Sequence, residues 1–122
     1  MLKEKSEKNL IVKLSFEFSI AVINYCSILE SLNKYAISNQ LLKSGTSIGA
    51  NIREAQNAES KNDFIHKCKI AAKEADETEY WLELCSAVKG FPDPKVLIEL
   101  LAPIMKIINK IISTSKSFSG SQ

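Results

Sequence analysis

The sequence predicts an all-α protein, an antiparallel up-down-up-down four-helix bundle. Three observations lead there. Apolar residues recur at spacings of three and four in four separate stretches, and almost no segment alternates apolar with polar. Only 4 Gly and 3 Pro occur in 122 residues, too few for a many-turned β protein. The length suits one domain, and a composition 45% apolar and 25% charged is that of a globular chain able to bury a core without disulfides or metal.

The first stretch places Ile11, Leu14, Phe18, Ala21, Tyr25, Ile28 and Leu32 on one helical face. The second gives Leu41, Gly45, Ile48, Ile52 and Ala55, with Ser38 ahead of it as the expected cap. The third reads Phe64, Cys68, Ala71, Ala75, Thr78, Leu82 and Cys85; Ser60 with Asp63 forms a capping box at its start, and Gly90 stops it. The fourth carries Leu97, Leu101, Ile104, Ile108 and Ile111 behind an Asp93-Pro94 opening. Short connections make consecutive helices antiparallel. The domain is expected over residues 1–113, with a frayed tail over 114–122. Pro103, inside the fourth pattern, predicts a kink or a late helix start.

Gly45 and Gly49 each cost about 1 kcal/mol relative to Ala inside a helix, so a close neighbour is expected on their face. In a hairpin of the second and third helices, Gly45 meets Ala75 and Gly49 meets Ala71. The rival reading of residues 43–49 as a phosphate-cradling loop fails on residue order and on the lack of a preceding strand.

No catalytic constellation is expected, and neither metal nor cofactor. His66 is the only histidine, read as a surface residue, and no Glu-x-x-His motif of a bundle metal site exists. Cys26, Cys68 and Cys85 form no C-x-x-C pair and read as reduced thiols. The apolar run over residues 96–112 is interrupted by Glu99, Lys106, Asn109 and Lys110, and no secretory pattern leads the chain, so the expectation is a cytoplasmic protein away from membranes.

Net charge is only +2, but its distribution is informative. Lys61, Lys67, Lys69 and Lys73 crowd the first half of the third helix, and Glu74, Asp76, Glu77, Glu79 and Glu83 the second, against the helix macrodipole. Antiparallel packing gathers the start of the first and third helices with the end of the second and fourth. Lys8, Lys13, Arg53, Lys61, Lys67, Lys69, Lys73, Lys106 and Lys110 then share one pole and become the nucleic-acid-binding candidates. That pole holds twelve cations against six anions, the other four against eight. The surplus apolar residues Ile98, Leu100, Met105, Ile107 and Ile112, with Tyr80 and Trp81, mark an expected contact between copies. The competing reading is a scaffold whose acidic end and apolar fourth helix hold a protein partner.

The runs Ser44-Gly-Thr-Ser-Ile-Gly-Ala-Asn-Ile-Arg-Glu-Ala55, Asp63-Phe-Ile-His-Lys67 and Glu74-Ala-Asp-Glu-Thr-Glu-Tyr-Trp-Leu-Glu83 resemble a bacterial four-helix-bundle family encoded by intervening sequences in 23S rRNA genes, often labelled a 23S ribosomal protein. More distantly the chain resembles the accessory variability determinant of diversity-generating retroelements, a basic pentamer working with a reverse transcriptase. The resemblance implies an antiparallel bundle assembled as a homopentamer. Together with the charged pole, it leads to the expectation of a non-enzymatic oligomer that binds RNA or DNA, structured RNA foremost.

Overall fold

The computed structural model describes residues 2–120 and consists of four helices: α1 (Leu2–Ser31), α2 (Tyr35–Ala55), α3 (Lys61–Ala87) and α4 (Lys95–Gly120). No strand occurs among the described residues. Each helix packs on its two neighbours in the ring α1–α2–α3–α4, closed by α1 against α4, which is the up-down-up-down arrangement. The fully buried large side chains come from all four helices: Phe18 and Leu29, Leu41 and Ile48, Leu82, and Ile104 and Ile108. Burying each contributes about 1.5–3 kcal/mol, and this shared interior holds the bundle together.

The expected stripes of α2 and α4 are buried throughout, and that of α3 apart from a half-buried Phe64. In α1 Ile11, Phe18 and Tyr25 are buried but Leu14 and Ala21 only half-buried, and the core follows Val22, Cys26 and Leu29, leaving Ile28 and Leu32 about half exposed. A rigid three-and-four count drifts around a 30-residue helix, and packing selects the neighbouring register. By length and composition, Lys5–Ser31 is apolar enough to cross a membrane; one face of it here forms part of the bundle core.

The helix ends are chemically legible. Asn33 adopts a left-handed φ of 62°, the Lys34 N–H donates to the Leu29 carbonyl and the Asn33 N–H to that of Glu30, together a Schellman stop for α1. Ser60 accepts from the Asp63 amide at 3.1 Å, the expected cap of α3, while the Asp63 carboxylate accepts at 3.2 Å from the amide of Glu59, the residue before the cap, where a strict capping box would use that of Ser60. Gly90 has φ +93° just beyond α3, and Asp93 accepts from the Lys95 amide at 3.0 Å where α4 begins.

Three local expectations need correction. Ser38 does not cap α2, which starts three residues earlier at Tyr35; it is buried, its hydroxyl donating to the Cys26 carbonyl at 3.2 Å while the Cys26 thiol donates to the Ser38 carbonyl at 3.4 Å. α4 starts at Lys95, not late, and continues as helix through Pro103. Pro103 and Glu99 are exposed, so the Glu99 carbonyl that loses its usual partner lies on the solvent side. The same helix runs on through Gly120, so the stretch expected to fray from 114 is helical that far; residues 121 and 122 lie outside the described residues.

Candidate nucleic-acid interface

The α1–α2 seam sets the geometry around the basic pole. A Cβ added to Gly45 would lie 2.9 Å from both γ-methyls of Val22, and one added to Gly49 would lie 3.2 Å from the Ser15 carbonyl oxygen. The glycines therefore admit α1, whereas the expectation had set them against Ala75 and Ala71 of α3. Ala71 and Ala75 are buried, and the α2–α3 contact is marked instead by the Thr78 hydroxyl donating to Ser44 Oγ at 3.0 Å. Small residues do allow a close approach, as their cost in helix propensity suggests, but the partner is the helix before.

Side-chain contacts tie the four helix ends of the basic pole together. Lys110 of α4 pairs with Glu7 of α1 at 2.9 Å, and Lys67 of α3 with Glu54 of α2 at 3.2 Å. The Lys8 ammonium lies 4.5 Å from the Phe64 ring centroid, reaching from α1 to α3. Lys69 of α3 lies against Lys116 of α4, and the neighbouring ammonium holds its pKa below the ordinary lysine value. Lys13, Lys73 and Lys106 are exposed, as are Arg53 and Lys61. Among the described residues, Lys13, Lys69, Lys73, Lys106 and Lys116 have no carboxylate within ion-pair distance. Part of the lysine set is thus committed to holding helices together, and part faces water at the same pole.

Of the expected contact residues, Tyr80 and Ile98 are exposed. Met105, Ile112 and Trp81 are half-buried and pack on the core, because they flank the central stripes of their helices. The Trp81 indole donates to Glu77 Oε2 at 3.4 Å and its ring meets Tyr80 edge-on at 5.3 Å. Further apolar side chains are exposed on α1, where Leu10, Phe16, Ile20, Ile23 and Ile28 are each 44–54% exposed. Sequence reasoning missed their exposure, although Phe16, Ile20 and Ile23 already stand at helical spacing as a second stripe.

Elsewhere the polar interior is closed. Every buried side-chain nitrogen or oxygen among the described residues is hydrogen-bonded. The three cysteines are buried and free, and burial pushes the Cys68 thiol up to about 11. Tyr25 donates to the Pro92 carbonyl at 2.6 Å; burial first, then its contact with Cys85, keeps it protonated well above its ordinary range. No grouping of three or more His, Cys, Asp or Glu suited to a metal ion occurs among the described residues, and His66 is exposed.

Fold and surface define a small helical bundle with a lysine-bearing pole and an apolar outer helix face. The chain belongs to the 23S rRNA-intervening sequence protein family, whose model matches residues 7–113. It is similar to a crystal structure of a protein of unknown function from the S23 ribosomal protein family of Bacteroides thetaiotaomicron, at 41% identity and a TM-score of 0.83, covering 88% of this chain and 98% of that one. Comparison with curated proteins gives no match.

Proposed function

We propose that this protein is a non-enzymatic, oligomeric RNA-binding bundle that engages phosphates through its basic pole. The observation that carries the reading is the set of exposed lysines at that pole, Lys13, Lys69, Lys73 and Lys106, with Lys73 one turn from Lys69 and no carboxylate among the described residues paired with any of them. Like charges held together at a surface repel, and an anion between them removes the repulsion. A phosphate backbone supplies such anions at regular spacing, and neutralising them releases counterions. The family name is consistent with a partner of this chemistry, since it attaches to a gene region transcribed as ribosomal RNA.

The test is a fluorescence-polarisation titration of a structured RNA hairpin between 50 and 200 mM salt. Binding is expected to weaken steeply with salt, each neutralised phosphate contributing a log–log slope of about −0.9 on a duplex. Lys69→Glu combined with Lys73→Glu should weaken binding at least about tenfold while leaving helical circular dichroism unchanged, since both sites are exposed. The pair is preferable to Lys67, whose replacement would also break the contact with Glu54. No binding at 50 mM salt, or a charge-reversed variant that binds as tightly as the parent, overturns the proposal.

A further inference from the structure

We infer that the groove between α1 and α2 is a stacking site for an unpaired nucleobase, taken between the Phe16 ring and the Arg53 guanidinium; this rests on the basic pole binding RNA. Arg53 Cζ lies 6.0 Å from the Phe16 ring centroid, and both side chains are exposed. That separation exceeds direct plane-to-plane contact, about 3.5–4.0 Å, and approaches the roughly 7 Å that one planar ring needs between two others. A small swing of the exposed Arg53 side chain supplies the rest. Arg53 has no carboxylate within ion-pair distance among the described residues, so no ion pair resists that swing.

The surroundings suit a base. The groove measures about 450 Å³ and runs from Arg53 at the basic pole toward Ile23, walled by Val12 and floored by Gly49 and Ala50. Gly49 lets α1 approach closely beneath the groove, and the single methyl of Ala50 keeps that side low. Of the three hydroxyl residues lining it, Ser15 is buried, while Thr46 Oγ1 donates to the Leu42 carbonyl at 2.7 Å and Ser19 Oγ to the Ser15 carbonyl at 3.0 Å. With their protons so used, both present lone pairs to the amino groups of a base edge. Lys13, exposed and three residues before Phe16 on the same helix, is placed for the adjoining phosphate. The other two cation–ring pairs do not offer this. Lys8 is already in direct contact with a half-buried Phe64, and Lys34 over Phe91 at 4.4 Å lies at the acidic pole. Unpaired bases in RNA loops and bulges are recognised by stacking on aromatic and guanidinium planes, so this site complements a phosphate-binding pole.

The experiment uses a single-stranded oligoribonucleotide carrying one 2-aminopurine, and a matching oligomer with an abasic residue at that position. Binding should quench the 2-aminopurine fluorescence, and the abasic oligomer should bind about tenfold more weakly. Phe16→Ala should remove both the quench and the tenfold preference, whereas Phe16→Trp should keep them. Phe16 is 54% exposed, so neither variant threatens the fold. Equal affinity for the two oligomers without a quench overturns the stacking site, and a continued loss of binding on Lys69→Glu with Lys73→Glu then leaves the phosphate-binding pole standing. If no RNA binds at low salt, both readings fall. A change in solution mass on Phe16→Ala with RNA binding unaltered assigns the groove to a contact between copies and also overturns the site.

Discussion

At the scale of single residues, the α1–α2 seam hinges on one glycine facing one valine. Val22 is fully buried and β-branched, so its methyls, 2.9 Å from any Cβ at position 45, have no free rotamer to yield into. Gly45→Ala gains about 1 kcal/mol of helix propensity but forces overpacking that costs about 1–3 kcal/mol, so a net loss of about 1 kcal/mol is expected in urea unfolding. In a Val22→Ala background the methyls are gone, the propensity gain remains, and the same substitution should become stabilising. Equal effects of Gly45→Ala in the two backgrounds would show that the close approach is not what position 45 serves. Gly49 differs in kind: its nearest neighbour is the Ser15 carbonyl, part of the α1 backbone. There only a shift of the whole helix makes room.

At the scale of elements, α4 keeps an exposed proline mid-helix and stays helical through it. A proline there removes one backbone hydrogen bond and crowds the preceding turn, while also restricting the unfolded chain. Pro103→Ala should therefore stabilise the protein by about 1–3 kcal/mol, read as a higher urea midpoint with unchanged slope; a lower midpoint would mean that the interrupted helix fits the bundle better than a regular one. The stripes of α2, α3 and α4 and the caps at Ser60 and Asp93 were legible because each is local: a few residues with one periodicity or one hydrogen bond decide them. Ser38 misled because a hydroxyl near a helix start reads as a cap unless its tertiary partner, the Cys26 carbonyl, is known. The facing of Gly45 and Gly49 was illegible for a related reason. Small residues declare that a neighbour is close, and only the bundle's rotation declares which. The gathering of lysines at one pole follows from chain direction alone, but the engagement of Lys67 and Lys110 with carboxylates depends on side-chain reach across helices.

At the scale of the whole molecule, two exposed apolar surfaces differ from one another. One is the outer face of α1 at Ile20, with Phe16 and Ile23 left to the α1–α2 groove; the other lies on the early part of α4, where Val96 and Leu100, one turn apart, are 63% and 37% exposed. Scattered exposed apolar residues are ordinary, but a succession of them along one helix marks a contact surface. Two unlike surfaces that meet head-to-tail generate a ring if the rotation closes, whereas a two-fold dimer pairs each patch with itself. A ring would also set several basic poles side by side, multiplying the field that an RNA meets. The parent protein should therefore sediment well above its 13.6 kDa chain mass. Ile20→Asp, at a site 47% exposed and outside the residues lining the α1–α2 groove, should lower that mass without loss of helical content. Because each copy contributes fewer phosphate contacts alone than in an assembly, the same variant should bind RNA more weakly and with a shallower salt dependence. A parent that sediments as a monomer removes the assembly. A variant that loses mass but keeps the parental affinity and salt slope shows that each pole works singly.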